Sequence, residues 1–327
     1  MNFAMLIDGC IQRSYFIQDK KSFLLKSDEL IPYSHHHSIG NECHLGIWGW
    51  PFVFDGYFIN WTEWEELPSL DLDVVMVAIE KDPQKYNVDM LRKKYPNATV
   101  VSFIKEDYWT NLQVGERIDF FKSCDVVTFP WLIQKDDDGI LGVENLTKLC
   151  GKDVYYMPQP HDIDFLYDRY FQSKKNIQIL NYKTPETSPG EHTEDFVNHI
   201  SKKYNIHVMQ HIVKYKGPEH NQWEEFLSGI TSSLYCFNLD TVRTGGSMAV
   251  QCAALGILNV GGVQDSHEIL YPETATNDWE QLENAFSEIH TNSEKRKEVM
   301  VRAFEKAKTH YSHNAVKQKF SSLLGVT

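Results

Sequence analysis

The stretch SLYCFNLDTVRTGGSMAVQCAALGILNVGG, residues 233–262, decides how the rest of the chain is read. An apolar run, Ser233–Phe237, leads through a polar loop into Gly245-Gly246-Ser247; an apolar helix-like stretch, Met248–Leu255, follows, and after Gly256 comes a second apolar run, Ile257–Val260. The order is strand, glycine turn, helix, strand. Glycine lacks a Cβ, so a ligand can approach the backbone of such a turn closely. Ser247 is expected to cap the helix, and the free N–H groups of its first turn form an anion site. Arg243 stands just before the turn, and its planar fork suits a phosphate. The expectation is a phosphate- or diphosphate-binding edge on a parallel α/β sheet.

At 327 residues the chain is too long for one ordinary α/β domain and comfortable for two. Its 42% hydrophobic and 13% aromatic content suffice for sizeable cores. A net charge of −13 argues against a protein that coats nucleic acid through bulk electrostatics, though not against a local basic cleft. The six cysteines, at 10, 43, 124, 150, 236 and 252, form no CxxC pair, and several sit inside apolar runs as buried thiols do. That usage, with no apolar run of membrane-spanning length and no leader pattern, predicts a cytoplasmic protein.

From residue 73 onward strands and helices alternate. Asp73–Ile79, Ala98–Ile104, Asp125–Phe129 and Asp153–Met157 read as strands, with a helix capped by Asn87 and stopped by Pro96, and another over Gly115–Cys124. Within residues 1–72, Phe3–Ile7 and His44–Trp48 are strand candidates, while the aromatic density of 48–64 predicts an irregular insert or hairpin. Met157-Pro-Gln-Pro-His-Asp162 reads as a stiff hinge. A second series follows: strand Asn176–Leu180, a polar loop, helix Thr193–Tyr204, strand Ile206–Val213 and a helix entered at Asn221. After the 233–262 stretch come a helix entered at Asn277, a long one over Ser293–Tyr311 and a last one over 313–324. The fold class is α/β with two Rossmann-like, doubly wound parallel-sheet domains, 1–160 and 161–310, and a C-terminal helix, 311–327, packing back on the first.

Several stretches together resemble a GT-B glycosyltransferase, closest in pattern to the retaining family 4-like group. VYYMPQPHDIDF (154–165) is similar to the interdomain segment, KNIQILNYK (175–183) to the first strand of the donor domain, and RTGGSMAVQCAALGILNVGG (243–262) to the donor-site loop, helix and strand. The resemblance implies that the second domain binds a nucleotide-diphosphate sugar, with UDP and GDP as candidate carriers, and that the first binds a saccharide or other hydroxyl acceptor. It implies transfer without a cofactor or required metal, the leaving diphosphate being stabilised by a helix N-terminus and basic side chains. Many retaining members carry two glutamates eight positions apart around this loop; here those positions are Arg243 and Gln251. Gln251 can still hydrogen-bond a ribose hydroxyl, whereas Arg243 cannot copy a carboxylate and suits phosphate, which leaves Asp240 as the nearest group for sugar hydroxyls.

The candidate donor-binding residues are therefore Lys183, Tyr215, Arg243, Thr244, Gly245, Gly246, Ser247 and Gln251; the catalytic candidates are Asp107, His161 and Asp240. Each has an ordinary structural alternative. The glycine pair is also a common turn signal, Lys183 and Tyr215 also read as solvated loop residues, and Asp107 also reads as a strand end. A base such as Asp107 or His161 is required only for inverting chemistry. His35-His36-His37 reads as a polar loop rather than a metal site, because adjacent histidines in an extended segment point to alternate sides. Asp136-Asp137-Asp138 reads as a solvated turn. Trp48, Trp50, Trp61 and Trp64 are candidates for a sugar-stacking platform or, more commonly, for a core. Three functions remain open: a hexosyl- or pentosyltransferase acting on a glycan, lipid-linked or other hydroxyl acceptor; the phage-type transfer to a hydroxylated DNA base; and a catalytically silent nucleotide- or glycan-binding protein. A dinucleotide oxidoreductase fits less well, since no GxGxxG follows the first strand of either half.

Overall fold

A computed structural model describes residues 1–8, 23–26, 49–61, 67–79, 87–104, 118–130, 132, 142–183, 190–212, 230–239 and 246–326. These fall into two compact units: the chain up to Pro160 joined by the segment from Val316 on, and His161–Ala315. Both are α/β, each Rossmann-like around a parallel sheet.

The first unit holds strands β1 (Phe3–Asp8), β2 (Phe23–Lys26), β3 (Tyr57–Trp61), β4 (Val74–Ile79), β5 (Thr99–Ile104), β6 (Val126–Phe129) and β7 (Val154–Tyr156). They make a seven-stranded sheet in the order β2-β3-β1-β4-β5-β6-β7, parallel except for β2, which runs against β3 at the edge. Side chains alternate faces along a strand, and here both faces are buried, which is why the strands read as unbroken apolar runs. Ala4 and Leu6 of β1, with Val75 and Val77 of β4, face a core closed by Leu91, Phe121 and Leu146. Those three come from helix α2 (Val88–Lys94), a helical segment over 118–123, and α3 (Val143–Cys150). Phe3 and Met5, with Val74 and Met76, face the opposite core. Helix α1 (Trp50–Val53) and the C-terminal helix α10 (His313–Leu323) close that side through Trp50, Phe54, Val316 and Phe320.

Asn87 caps α2 as expected, its Oδ1 accepting from Asp89 N at 2.9 Å and Met90 N at 3.2 Å. The aromatic segment 48–64 departs from expectation. It supplies α1 and the parallel strand β3, not an irregular insert, and Trp50 is fully buried against Phe103 and Phe320. A sealed ring cannot serve as a stacking platform. Trp61 ends β3; Trp48, Trp64 and the expected strand His44–Trp48 lie outside the described residues.

The second unit opens with α4 (Ile163–Tyr170), which the sequence reading did not anticipate; Asp162 caps it by accepting from Phe165 N at 3.0 Å. Strands β8 (Asn176–Lys183), β9 (His207–Ile212), β10 (Ser233–Phe237) and β11 (Leu258–Val260) form an all-parallel sheet in the order β11-β10-β8-β9. The chain leaves β8 toward β9 on one side and returns to β10 on the other. The strand order therefore reverses between β8 and β10, the place where open α/β sheets hold ligands at their carboxyl ends. One face of this sheet is covered by α5 (Gly190–Tyr204) and α8 (Trp279–Thr291): Phe237 meets Phe196 and Phe286, and Tyr235 meets Phe286 and His290. The other is covered by α6 (Ser247–Ala254), where Cys252 meets Cys236. Helices α7 (Asp265–Leu270) and α9 (Ser293–Tyr311) complete the unit.

Several boundaries move, among them these. Helix α8 is capped by Asp278, which accepts from Glu280 N and Gln281 N at 3.0 Å each, one residue after the expected Asn277. Strand β8 runs three residues beyond the expected Leu180. The chain rejoins the first unit at Val316 rather than at 311, because Tyr311 O accepts from His161 N and Ser312 bridges His161 inside the second.

Candidate functional site

The apolar stretch after the glycine turn becomes α6, and every residue from Met248 to Ala254 is buried. A helix that is apolar all round must be buried all round, so its entry point is fixed by the unit's core. That entry lies at the carboxyl end of β10, since helix and strand run in the usual antiparallel sense of a β-α-β unit, beside the reversal between β8 and β10. Gly246, not Ser247, is the N-cap; its φ of 72° and ψ of 45° are left-handed, and among the described residues no side-chain hydrogen bond caps the helix. Ser247 occupies the first helical position instead. The correction has a physical reason: the left-handed turn puts glycine at the cap and leaves the serine hydroxyl past the position from which it could reach back.

The turn is held from below. Ser266 Oγ, fully buried, donates to Gly246 O at 2.5 Å. A Cβ at position 246 would run into that hydroxyl and lie 2.9 Å from Gln264 Cβ and 3.0 Å from Gln264 Oε1. Gln264 Oε1 in turn accepts from Asn238 Nδ2 at 3.3 Å, and Asn238 is the first residue past β10. The first N–H groups of α6 thus keep the partial positive charge of an uncapped helix end, on a turn that admits no side chain.

Of the expected donor residues, Gly246, Ser247 and Gln251 come together on α6. Gln251 is one turn on from Ser247 on the same face and 8% exposed. Lys183 is the last residue of β8, paired with Ile212 of β9, so it stands at the same carboxyl edge of the sheet. Tyr215, Arg243, Thr244 and Gly245, with the catalytic candidates Asp107 and Asp240, lie outside the described residues, as do His35–His37 and Asp136–Asp138.

His161 does not belong with them. It is 1% exposed, its backbone N–H donates to Tyr311 O at 2.8 Å, and its ring meets Tyr311 edge-on at 6.3 Å. Burial, helped by the nearby charge of His313, pushes its imidazole down to about 3. The ring is thus sealed from solvent and packed against Tyr311.

Sequence reasoning missed Asn238, Gln264, Ser266 and His267. Their signal was a polar residue, Asn238, directly after the apolar run of β10, and a polar cluster, Gln264–His267, that begins four residues after the end of β11, at the ends where parallel sheets bind ligands. His267 is fully buried, with Nε2 3.2 Å from Thr274 Oγ1, and burial pushes it to about 3 despite nearby backbone carbonyls. Among the described residues no cluster of His, Cys, Asp or Glu is arranged to hold a metal ion, and no helix is long and apolar enough to cross a membrane.

No protein-family model matches the sequence, and no curated protein matches it. Solved structures do. The chain is similar to the pneumococcal O-GlcNAc transferase GtfA in complex with UDP and GlcNAc, at 10% identity and a TM-score of 0.47 over 77% of this chain and 56% of that one. It is similar to the glycotransferase of kitacinnamycin, at 9% identity and a TM-score of 0.45 over 99% of both chains. A third is an alpha1,3-fucosyltransferase with GDP-fucose, at 9% identity and a TM-score of 0.42 over 99% of this chain and 91% of that one. All three are sugar transferases. The chain spans a little over half the length of the GtfA structures it matches, 57% and 56%. At identities this low the likeness is one of fold, and it carries no donor, acceptor or residue role across.

Proposed function

We propose that the protein is a glycosyltransferase that moves a sugar from a nucleotide-diphosphate donor, bound by the second unit, to a hydroxyl acceptor bound by the first, without a metal. The observation that carries this reading is the uncapped N-terminus of α6, entered through a left-handed Gly246 with no room for a Cβ, at the strand-order reversal of a parallel sheet. Backbone N–H groups and a helix dipole converge there on a position that a diphosphate fills, and they stabilise the charge that develops on it as the sugar departs. Gly245, Gly246 and Ser247 hold the diphosphate, with Arg243 and Thr244 before the turn and Lys183 across from it. Gln251 reads the ribose, Tyr215 flanks the base, and Asp240 meets the sugar. Asp107 is the candidate base for the acceptor hydroxyl.

A thermal-shift panel of nucleoside diphosphates tests the reading first, and the base that stabilises the protein names the donor. Hydrolysis of the matching nucleotide sugar without acceptor then separates an enzyme from a silent binder, which leaves it intact. Arg243→Ala is expected to weaken diphosphate binding by about 1.5–3 kcal/mol, the worth of a charged hydrogen bond; unchanged affinity for UDP and GDP removes Arg243 from the site.

A further inference from the structure

The amide of Asn238 is unfinished business in an otherwise closed corner of the second unit. The residue is 1% exposed, at the carboxyl end of β10. Its Nδ2 is spent on Gln264 Oε1, and its Oδ1 has no hydrogen-bond partner among the described residues. Buried polar atoms are almost always paired, so an orphaned carbonyl oxygen needs an explanation. Its position supplies one. Side chains two apart on a strand share a face, so Asn238 lies on the face of Cys236, which α6 covers. It is linked through Gln264 to the cap of that helix, since Gln264 Oε1 sits 3.0 Å from where a Gly246 Cβ would be.

We propose that Asn238 is a specificity-determining residue whose Oδ1 accepts a hydrogen bond from a hydroxyl of the bound donor's sugar. The inference rests on the donor reading above. An acceptor oxygen repels phosphate oxygens, so the diphosphate itself cannot be its partner; a hydroxyl can. Of the groups flanking a diphosphate on the donor, the ribose falls to Gln251 farther along α6, which leaves the transferred sugar. The described group hydrogen-bonded to Asn238, the Gln264 amide, is uncharged. Gln264 acts through Asn238 by fixing which end of its amide is left unpaired, and Ser266 acts through Gly246 by fixing the turn; both are positioning residues.

Calorimetry with UDP-glucose, UDP-GlcNAc and GDP-fucose, alongside UDP and GDP, tests this on the full chain. Asn238→Ala is expected to weaken whichever nucleotide sugar binds by about tenfold while leaving its parent nucleotide within about twofold. Equal loss for nucleotide and nucleotide sugar, or no loss for either, overturns the assignment of Asn238 alone. If no probe binds the unaltered protein, the donor reading falls and the inference with it. A second measurement needs no variant: among deoxy-sugar analogues of the donor that binds, one is expected to lose about tenfold in affinity for the unaltered protein, and a series in which none does overturns the proposal.

Discussion

Two buried histidines make the second unit sensitive to acid. His161 and His267 are each held near 3 by burial, well below the free value of 6.5. Between those values the unfolded chain binds a proton that the folded chain does not. Stability is therefore complete above about pH 6.5 and is lost as pH falls toward 3, at up to about 1.4 kcal/mol per pH unit for each ring. Denaturant unfolding between pH 7 and pH 4 is expected to show this slope, and His267→Gln to flatten it; an unchanged slope would mean that His267 is not the group titrating. Gly246 is the other residue on which much turns. Gly246→Ala forces an L-residue into left-handed backbone and a methyl into Ser266 Oγ and Gln264, a combined cost of about 2–3 kcal/mol read as a lowered Tm. Ser247 tolerates alanine, since its hydroxyl caps nothing.

At the scale of elements, α10 is the lid of one core. Phe320 packs against Phe3, Trp50 and Phe54, at ring separations of 6.3, 5.3 and 5.4 Å, although it lies more than two hundred residues from all three. Phe320→Ala is expected to cost about 3–5 kcal/mol in unfolding free energy, a core cavity's worth; a loss under about 1 kcal/mol would mean the helix is not the cover. Strands and amphipathic helices of this kind were legible in the sequence because burial imposes period: β10, at Ser233–Phe237, and α9, at Ser293–Tyr311, have the expected ends. Elements that sit in aromatic or polar surroundings were not. Helix α1 and strand β3 hide in a run of aromatics too dense to show a period, and α7 hides in the polar segment Asp265–His267, buried for reasons of hydrogen bonding rather than hydrophobicity. For the site, the turn at Gly246 was legible from glycine chemistry, while Gln251 was named only through the resemblance. Asn238, Gln264 and Ser266 were not legible, because what makes them matter is contact between segments 20 and 26 residues apart in sequence, along no local pattern.

At the scale of the molecule, two α/β units with parallel sheets and a net charge of −13 make a poor surface for nucleic acid and a good frame for a small anionic ligand held by backbone amides. A hydroxylated base in DNA stays an alternative acceptor only if a basic groove offsets that charge, and binding of a DNA duplex at physiological salt would reveal one. The central claim is narrower: the entry to α6 holds a diphosphate. Isothermal titration of UDP and of GDP into the unaltered protein and into Gly246→Ala tests it most directly. The account predicts that one of the two nucleotides binds the unaltered protein, and that the methyl at position 246 weakens it at least about tenfold, with the variant still folded at the temperature used. Binding of neither nucleotide, or equal binding by both proteins, would contradict it.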